Sequence, residues 1–181
     1  MTTSILEYIL MGLLDQAPHS GYDLRKDFAS TPLRHFSNSP GSIYPALRRL
    51  VERKWIDASQ PDGSRGRQEF RLNERGRKEF VIWLKQPVIS EDIIWGSELL
   101  MLRFAFMGQS LEPADVKAFL REFSRELEGY LKTLECFLIE HGGSMSLTGR
   151  LAFEHGVEQY RSRLRWAQEA RNSIARAKKW P

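Results

Sequence analysis

The chain has 181 residues, 28% charged and 41% hydrophobic, which excludes a disordered polymer and allows one or two folded domains. Its net charge of +4 is concentrated in residues 48–78, where ten Lys and Arg stand against five Asp and Glu, and this favours a polyanionic partner. A single cysteine excludes an intrachain disulfide framework. With no signal peptide or membrane-spanning run visible, we expect a cytoplasmic protein without membrane contact.

The first two predicted elements are amphipathic helices. Leucine and isoleucine recur at helical spacing from about residue 4 to residue 16, which predicts a helix with one broad apolar face. Residues 17–19 contain a proline and break this helix. Ser20 and Asp23 have the spacing of a capping box, so a second helix is predicted with Leu24 and Phe28 facing the core.

A third, basic helix is predicted to begin near Gly41, after a proline that suits a first helical turn. Its predicted buried stripe is Ile43, Leu47, Leu50 and Val51. The opposite face carries hydroxyl groups and two arginines, on Ser42, Tyr44, Arg48 and Arg49. Such side chains suit insertion into a DNA major groove, where arginine reaches phosphate or guanine. The alternative is a surface helix with a solvated arginine pair.

An arginine-bearing hairpin is predicted next, with strands at residues 55–59 and 68–72. Arg65 and Arg67 lie in its glycine-rich tip and would offer forked donors to phosphate. An ordinary exposed hairpin is the alternative. The two glycines of the tip have the spacing of an RNA-binding KH loop, but that loop joins helices, so we discount it. Asn73 then predicts the cap of a fourth helix that reaches about residue 85.

Four motifs follow one another in residues 5–86: Gly21 to Leu24, Ser39 to Leu50, Gly63 to Arg67 and Leu72 to Gly76. In order and spacing they resemble the PadR family of bacterial transcriptional regulators. The resemblance implies a winged helix-turn-helix that binds double-stranded operator DNA as a homodimer. It also implies DNA contacts from Ser42, Tyr44 and Arg48 or Arg49, and from the arginines of the wing.

The second half is predicted to be helical. A connector at residues 88–92 precedes an apolar helix at residues 98–107, which Gly108 is expected to end. Two long helices follow, separated by a glycine pair at 142–143. Their apolar seams have coiled-coil-like spacing and include Val116, Leu120, Phe123, Leu127, Tyr130 and Leu134 on the first helix and Tyr160 and Leu164 on the second.

A lone helical hairpin would leave much of this apolar surface exposed, and large exposed patches usually mark an interface. We therefore expect these eight residues to form a homodimer interface. Twofold symmetry would place two recognition helices about 34 Å apart on a palindromic site.

Three aromatic residues in the second half are candidates for an effector pocket. Trp95, Phe104 and Phe106 are candidates for binding a small aromatic ligand near the domain junction, although core and interface packing is the favoured alternative. The length of the second half resembles the larger PadR branch, which includes phenolic-acid-responsive repressors. Residues 96–97 depart from the charged pair that relatives often carry there, so ligand properties transfer poorly.

The sequence gives little indication of a metal, redox or catalytic site. The histidines at 19, 35, 141 and 155 lack metal-ligand spacing, and Cys136 is interpreted as a small packed hydrophobe. Phosphate-binding loops, nucleophile elbows and metal-binding helix motifs are not recognisable in the sequence, so we expect no enzyme, cofactor or metal site.

The combined prediction is a mainly α chain. Residues 1–87 would form a winged helix-turn-helix DNA-binding domain with a small β-hairpin wing, and residues 88–181 an antiparallel helical dimerisation and effector domain. The predicted function is that of a sequence-specific transcriptional regulator, with repression favoured over activation. A protein-interaction adaptor with a winged helix and coiled-coil-like dimer arms is the alternative.

Overall fold

The computed structural model describes residues 3–31, 33, 40–60, 68–177 and 180. The chain divides after Leu84 into two compact units, Met1–Leu84 and Lys85–Pro181, whereas the boundary predicted from sequence lies after residue 87. The first unit contains four helices and a small sheet among its described residues, and the second is helical throughout its regular elements. The predicted fold class, a winged helix-turn-helix followed by a helical part, is confirmed.

The helices of the first unit are α1 (Ile5–Gln16), α2 (Gly21–Ser30), α3 (Ile43–Glu52) and α4 (Glu74–Leu84). Its strands are β1 (His19–Ser20), β2 (Ile56–Ala58) and β3 (Glu69–Leu72), and they form an antiparallel sheet in the order β1-β3-β2. In the central strand β3, Phe70 stands opposite His19 on one side and Ala58 on the other. The two predicted wing strands are therefore present, whereas β1 is an additional strand that the sequence did not indicate.

Side-chain caps define where these helices begin. The Asp23 amide donates to Ser20 Oγ at 3.2 Å, and the Ser20 amide donates to Asp23 Oδ2 at 3.3 Å, which confirms the predicted capping box of α2. At α4, the Gly76 amide donates to Asn73 Oδ1 at 3.0 Å, as the predicted cap requires. Each such cap stabilises its helix by about 1 kcal/mol.

The core of the first unit is assembled from helices and strands together. Fully buried members include Ile9, Leu10, Met11, Leu24, Ile43, Leu47, Leu50, Ile56, Phe80 and Leu84. Burying each such side chain contributes about 1.5–3 kcal/mol. Val51 is the exception in the stripe predicted for α3: it is 37% exposed, and Ala46 takes the buried position instead. The predicted stripe was wrong at that residue because the helix turns Val51 away from α1.

A tight turn joins α3 to β2. The Trp55 amide donates to the Leu50 carbonyl at 3.0 Å, and Lys54 adopts a left-handed backbone conformation with φ of 58°. Gly76 lies directly against this turn, since a Cβ at position 76 would be 2.0 Å from the carbonyl oxygen of Trp55. The backbone of α4 can approach the turn this closely only because residue 76 has no side chain.

The helices of the second unit are α5 (Ser90–Trp95), α6 (Ser97–Ser110), α7 (Pro113–His141) and α8 (Leu147–Arg176). The predicted connector at 88–92 was wrong in part, because residues 90–92 already belong to α5. Gly108 does not end α6, which continues through it to Ser110. A single glycine in a helix costs only about 1 kcal/mol, and the neighbouring buried Met107 offsets that cost.

An aromatic cluster packs α6, α7 and α8 together. The ring of Trp166 meets those of Phe104 and Phe123 edge-on, with centroids 5.2 Å and 6.2 Å away, and Phe119 stacks on both phenylalanines. These contacts bury the N-terminal half of α7. Its C-terminal half is more exposed and includes Phe137, which is 44% exposed, and Ile139, which is 83% exposed.

One arginine is buried in this unit. Arg103 is 4% exposed, donates from Nη2 to the Gln86 carbonyl, and lies 5.4 Å from the centre of the Phe119 ring. Burial lowers the pKa of this guanidinium, and the nearby carboxylates of Asp92 and Glu122 oppose that shift. Because arginine stays protonated in proteins, Arg103 brings a fixed positive charge into the packing of α6.

Candidate nucleic-acid interface

Helix α3 has one buried face and one exposed face, as the sequence predicts. A short 3₁₀ turn, Pro40–Ser42, leads into it. Ile43 and Leu47 are at most 1% exposed, whereas Tyr44 is 46% exposed and Arg48 is also exposed. The polar side chains at the start of the helix therefore face solvent while the apolar ones hold the helix on the core. This arrangement fits a helix that presents its first two turns to a groove.

Tyr44 is braced against the start of α2. A Cβ at Gly21 would lie 2.6 Å from Cε1 of the Tyr44 ring, so the ring occupies the space that any larger residue would need. The ring thus packs on the backbone of α2 while almost half of the side chain remains accessible. This contact positions Tyr44 against the start of α2, and a side chain at position 21 would displace the ring.

Two residues of α2 extend this exposed surface. Tyr22 is 53% exposed, and the Arg25 guanidinium carbon lies 5.7 Å from the centre of its ring. Neither residue was among the predicted DNA contacts. The signal was available in the sequence, because Tyr22 follows the glycine of the first quoted motif and Arg25 lies three residues later on the same helix face.

Arg48 and Arg49 have different surroundings. Arg48 is exposed, but Arg49 donates from Nε to Glu7 Oε1 at 2.5 Å. Glu7 is only 1% exposed and lies in the first turn of α1. Of the two arginines predicted to meet DNA, one is therefore held by a buried carboxylate of the same unit. Glu7 was missed as a functional candidate, although Ser4 and Glu7 have the spacing of a capping box.

The base of the wing is described by the structure and its tip is not. The Ser59 amide donates to the Glu69 carbonyl at 2.8 Å, and the Glu69 amide donates to Ser59 Oγ at 3.0 Å. These bonds extend the β2–β3 pairing towards the tip. Arg65 and Arg67 lie outside the described residues, so their predicted role stays a prediction.

The predicted dimer residues fall into two groups. Val116, Leu120, Phe123 and Leu127 are at most 1% exposed within a single chain, so partner contacts are not needed to explain their burial. Their assignment to an interface stays a prediction, and in a single chain the unit itself already covers that half of the α7 seam. The partly exposed members are Tyr130, Leu134, Tyr160 and Leu164. Among them, the Tyr130 and Tyr160 rings meet edge-on with centroids 4.9 Å apart.

The three aromatic residues predicted for an effector pocket have unlike environments. Trp95 is 87% exposed, Phe106 is 8% exposed, and Phe104 belongs to the aromatic cluster with Phe119 and Trp166. Phe104 and Phe106 therefore have packing roles, in agreement with the favoured alternative. Trp95 alone of the three presents its ring to solvent.

Other predicted features are also placed by the structure. Cys136 is exposed, which contradicts its interpretation as a packed hydrophobe, and with Gly129 and Phe137 it lines a shallow depression on α7. Among the described residues there is no group of His, Cys, Asp and Glu able to hold a metal ion. Within the same residues, each helix is too short or too polar to cross a membrane.

Comparisons with known proteins find one family model similar to part of the chain. The family model described as "Transcriptional regulator PadR-like family" matches residues 10–81, which include α3 and both wing strands. A search of curated proteins gave no match.

Solved structures similar to this chain include the PadR-like transcriptional regulator BC1756 from Bacillus cereus, with 20% identity over 94% of this chain and 98% of that one and a TM-score of 0.40. Bacillus subtilis PadR is similar in two structures. The complex with operator DNA has 21% identity, coverage of 94% and 99%, and a TM-score of 0.42. The complex with p-coumaric acid has 20% identity, coverage of 95% and 96%, and a TM-score of 0.40.

Over residues 10–81 the chain is similar to the PadR-like family of transcriptional regulators, and at these TM-scores the solved structures add no argument about function.

Proposed function

We propose that this chain binds a specific DNA sequence as a homodimer, in the cytoplasm, and regulates transcription there. The observation that carries the proposal is the exposed edge of α3, where Tyr44 is braced on Gly21 and Arg48 projects beside it. The opposite face of α3, with Ile43, Ala46, Leu47 and Leu50, is buried in the core, so this edge is available to a groove.

The proposed contacts divide into two kinds. Ser42 and Tyr44, at the start of α3, would meet base edges and discriminate between sequences. Arg48 would reach phosphate or guanine. Arg65 and Arg67, which the sequence places at the tip of the wing, would neutralise phosphates without regard to sequence. The excess of basic residues between 48 and 78 supports this division, because it puts positive charge on both the recognition helix and the wing.

The homodimer is supported by apolar side chains exposed on one chain. Phe137 and Ile139 of α7, and Leu147 and Leu151 of α8, are 44%, 83%, 69% and 53% exposed. Solvent-facing leucine, isoleucine and phenylalanine around one helical hairpin are typical of a surface that a partner covers. A second copy would cover it and give the twofold symmetry that a palindromic operator requires.

We also propose that the chain represses transcription and that a small aromatic molecule releases it. The support is the resemblance of its motifs and length to the branch with phenolic-acid-responsive members. Trp95, the exposed aromatic residue of the three predicted, is the candidate contact. p-Coumaric acid is a suitable first probe, and we expect it to quench tryptophan fluorescence and weaken DNA binding. Fluorescence and affinity that do not change up to millimolar ligand would contradict this part of the proposal.

The principal test is a fluorescence-anisotropy titration of the full chain with the DNA upstream of its own gene, at several salt concentrations. Because each neutralised phosphate contributes about −0.9 to the slope of log K against log salt, we expect a steep negative slope. Replacing both Arg65 and Arg67 by glutamine should lower affinity for all DNA and flatten the slope by about two contacts.

The Tyr44→Phe variant is the matched test of specificity. It keeps the ring that packs on Gly21 and removes only the hydroxyl, so the preference for one site should fall while the slope stays the same. A complete lack of DNA affinity at low salt would instead favour the protein-interaction adaptor.

A further inference from the structure

The carboxylate of Glu7 lies at the centre of a charged cluster that joins α1 to α3. Its Oε1 accepts from Arg49 Nε at 2.5 Å, and its Oε2 lies 3.5 Å from Arg53 Nη1. Its Oε2 also accepts from the Ser4 amide at 2.9 Å, and Arg53 Nη1 donates to Thr3 Oγ1 at 2.8 Å. One carboxylate thus serves both as the helix cap of α1 and as the anion opposite two arginines of α3.

Because Glu7 is buried, breaking its ion pair with Arg49 would be energetically costly. Glu7 is 1% exposed, and an ionised carboxylate removed from water needs charged or hydrogen-bonding partners. Arg49 and Arg53 are four residues apart, so they lie on the same face of α3 and its first following turn. Arg53 is further held by the Trp55 ring, 5.0 Å from its guanidinium carbon. If Arg49 turned to a phosphate, Glu7 would lose its shortest contact.

The two adjacent arginines of α3 are therefore electrostatically unequal. Arg48 is exposed and offers its full charge to solvent. The charge of Arg49 is compensated at short range by Glu7, which reduces the attraction that it can exert on a phosphate.

We propose that Glu7 is a specificity-determining residue that keeps Arg49 away from DNA. This proposal rests on the proposed function, because it concerns how that DNA is read. An unrestrained second arginine on the recognition helix would attract every phosphate backbone alike, and such contacts raise affinity without carrying sequence information. By binding Arg49, Glu7 limits this indiscriminate attraction and leaves discrimination to Ser42, Tyr44 and Arg48. Glu7 acts through Arg49 and does not itself touch DNA.

The test uses the full chain and the Glu7→Gln variant, which keeps an oxygen able to accept from the Ser4 amide and removes the negative charge. Binding is measured against a random-sequence duplex of about 30 base pairs, long enough for two half-sites one turn apart, over a range of salt concentrations. We expect tighter binding of random DNA and a slope of log K against log salt that is steeper by about 0.9, equivalent to one added phosphate contact. Selection from a random library should return a less defined consensus.

Two further variants separate this role from a merely structural one. The double variant Glu7→Gln with Arg49→Gln should return to the wild-type slope, because the released charge is gone. Arg49→Gln alone should leave the slope as in the wild type, whereas the matched neighbour Arg48→Gln should flatten it by about 0.9. Thermal unfolding of each variant measures the structural effect separately. Should Glu7→Gln fail to fold, Arg49→Gln keeps the proposal falsifiable, because a flattened slope in that variant would overturn it.

The outcomes distinguish the two proposals. A wild-type chain that binds DNA with a steep slope, together with a Glu7→Gln variant whose slope is unchanged, overturns the role of Glu7 alone. Flattening of the slope by Arg49→Gln does the same, because Arg49 would then contact DNA in the wild type. A wild-type chain without measurable DNA affinity overturns the proposed function itself.

Discussion

The two units of this chain differ in the contacts that stabilise each of them internally. The first contains two close approaches at glycines, Gly76 to the Trp55 carbonyl and Gly21 to the Tyr44 ring, and a buried carboxylate bound to Arg49. The second is packed by large aromatic side chains around the N-terminal half of α7 and leaves apolar residues exposed farther along. The contacts of the first unit therefore fix the positions of a few polar side chains, whereas the second unit is stabilised by apolar packing and keeps further apolar surface exposed.

The largest expected effect separates the two halves of α7. Phe123 and Phe137 are the same residue type fourteen positions apart on one helix, 0% and 44% exposed. Phe123→Ala should lower the free energy of unfolding by about 3–5 kcal/mol, because it empties the aromatic cluster around Trp166. Phe137→Ala should cost about 1 kcal/mol in a single chain but raise the dissociation constant of the proposed dimer. Urea denaturation and sedimentation velocity measure the two quantities. Equal losses of stability in both variants would contradict the predicted difference between the two halves of α7.

A second prediction compares glycines in the two units. Gly76→Ala would place a Cβ 2.0 Å from a backbone oxygen, so the Trp55 turn or α4 must move, and we expect a loss of about 3 kcal/mol. Gly129→Ala on α7 is the matched control, since nothing lies within 4 Å of its added Cβ. There the better helix propensity of alanine should stabilise the chain by about 0.5–1 kcal/mol. The melting temperature should fall for Gly76→Ala and rise for Gly129→Ala. A Gly76→Ala variant as stable as the wild type would show that the Trp55 turn moves at little cost.

A third prediction concerns how the first unit positions Tyr44. Gly21→Ala should displace the Tyr44 ring and reduce discrimination between operator and random DNA by about 1 kcal/mol, with little loss of stability. The control is the same change in a Tyr44→Ala background, where no ring remains to be displaced. Competition binding measures the discrimination. An equal effect of Gly21→Ala in both backgrounds would mean that it acts by another route.

The smallest effect is a dependence on pH within the second unit. Ser90 Oγ donates to Glu126 Oε2 at 2.7 Å, and this bond, assisted by Arg125, holds the pKa of Glu126 below its usual value. A carboxyl whose pKa is lowered in the folded state contributes stability above its ordinary pKa, and that contribution is lost as the pH falls through the lowered value. Ser90→Ala should therefore cost less than about 1 kcal/mol at neutral pH, and progressively less as the pH falls below the ordinary pKa of glutamate, about 4.3. Urea denaturation at neutral and at acid pH tests this, and an equal cost throughout would contradict it.

The elements that the sequence predicts well are those whose signals are local. The capping box at Ser20, the stripe of Ile43 and Leu47, and the Asn73 cap of α4 each act within one or two turns, so spacing alone identifies them. For the same reason, the exposed edge of α3 at Tyr44 and Arg48 can be inferred from periodicity.

The features that escaped prediction depend on distant partners. Strand β1 has only two residues and exists because β3, about fifty residues later, pairs with it. Glu7 and Arg49 are 42 positions apart, and spacing within one helix cannot reveal such a pair. The seam of α7 has the same periodicity whether α8 or a second chain covers it, so spacing alone does not reveal that Val116 and Leu120 are buried within their own unit.

The contact between Tyr44 and Gly21 also has an evolutionary consequence. The ring fills the space that a side chain at position 21 would need, so the effects of substitutions at the two positions are expected to depend on each other. A descendant that keeps the ring at 44 and gains a side chain at 21 must displace the ring. A descendant with a small residue at 44 gains freedom at 21 and can later fill it, and a returning ring would then meet that side chain. A change at 44 that is followed by one at 21 is therefore difficult to undo.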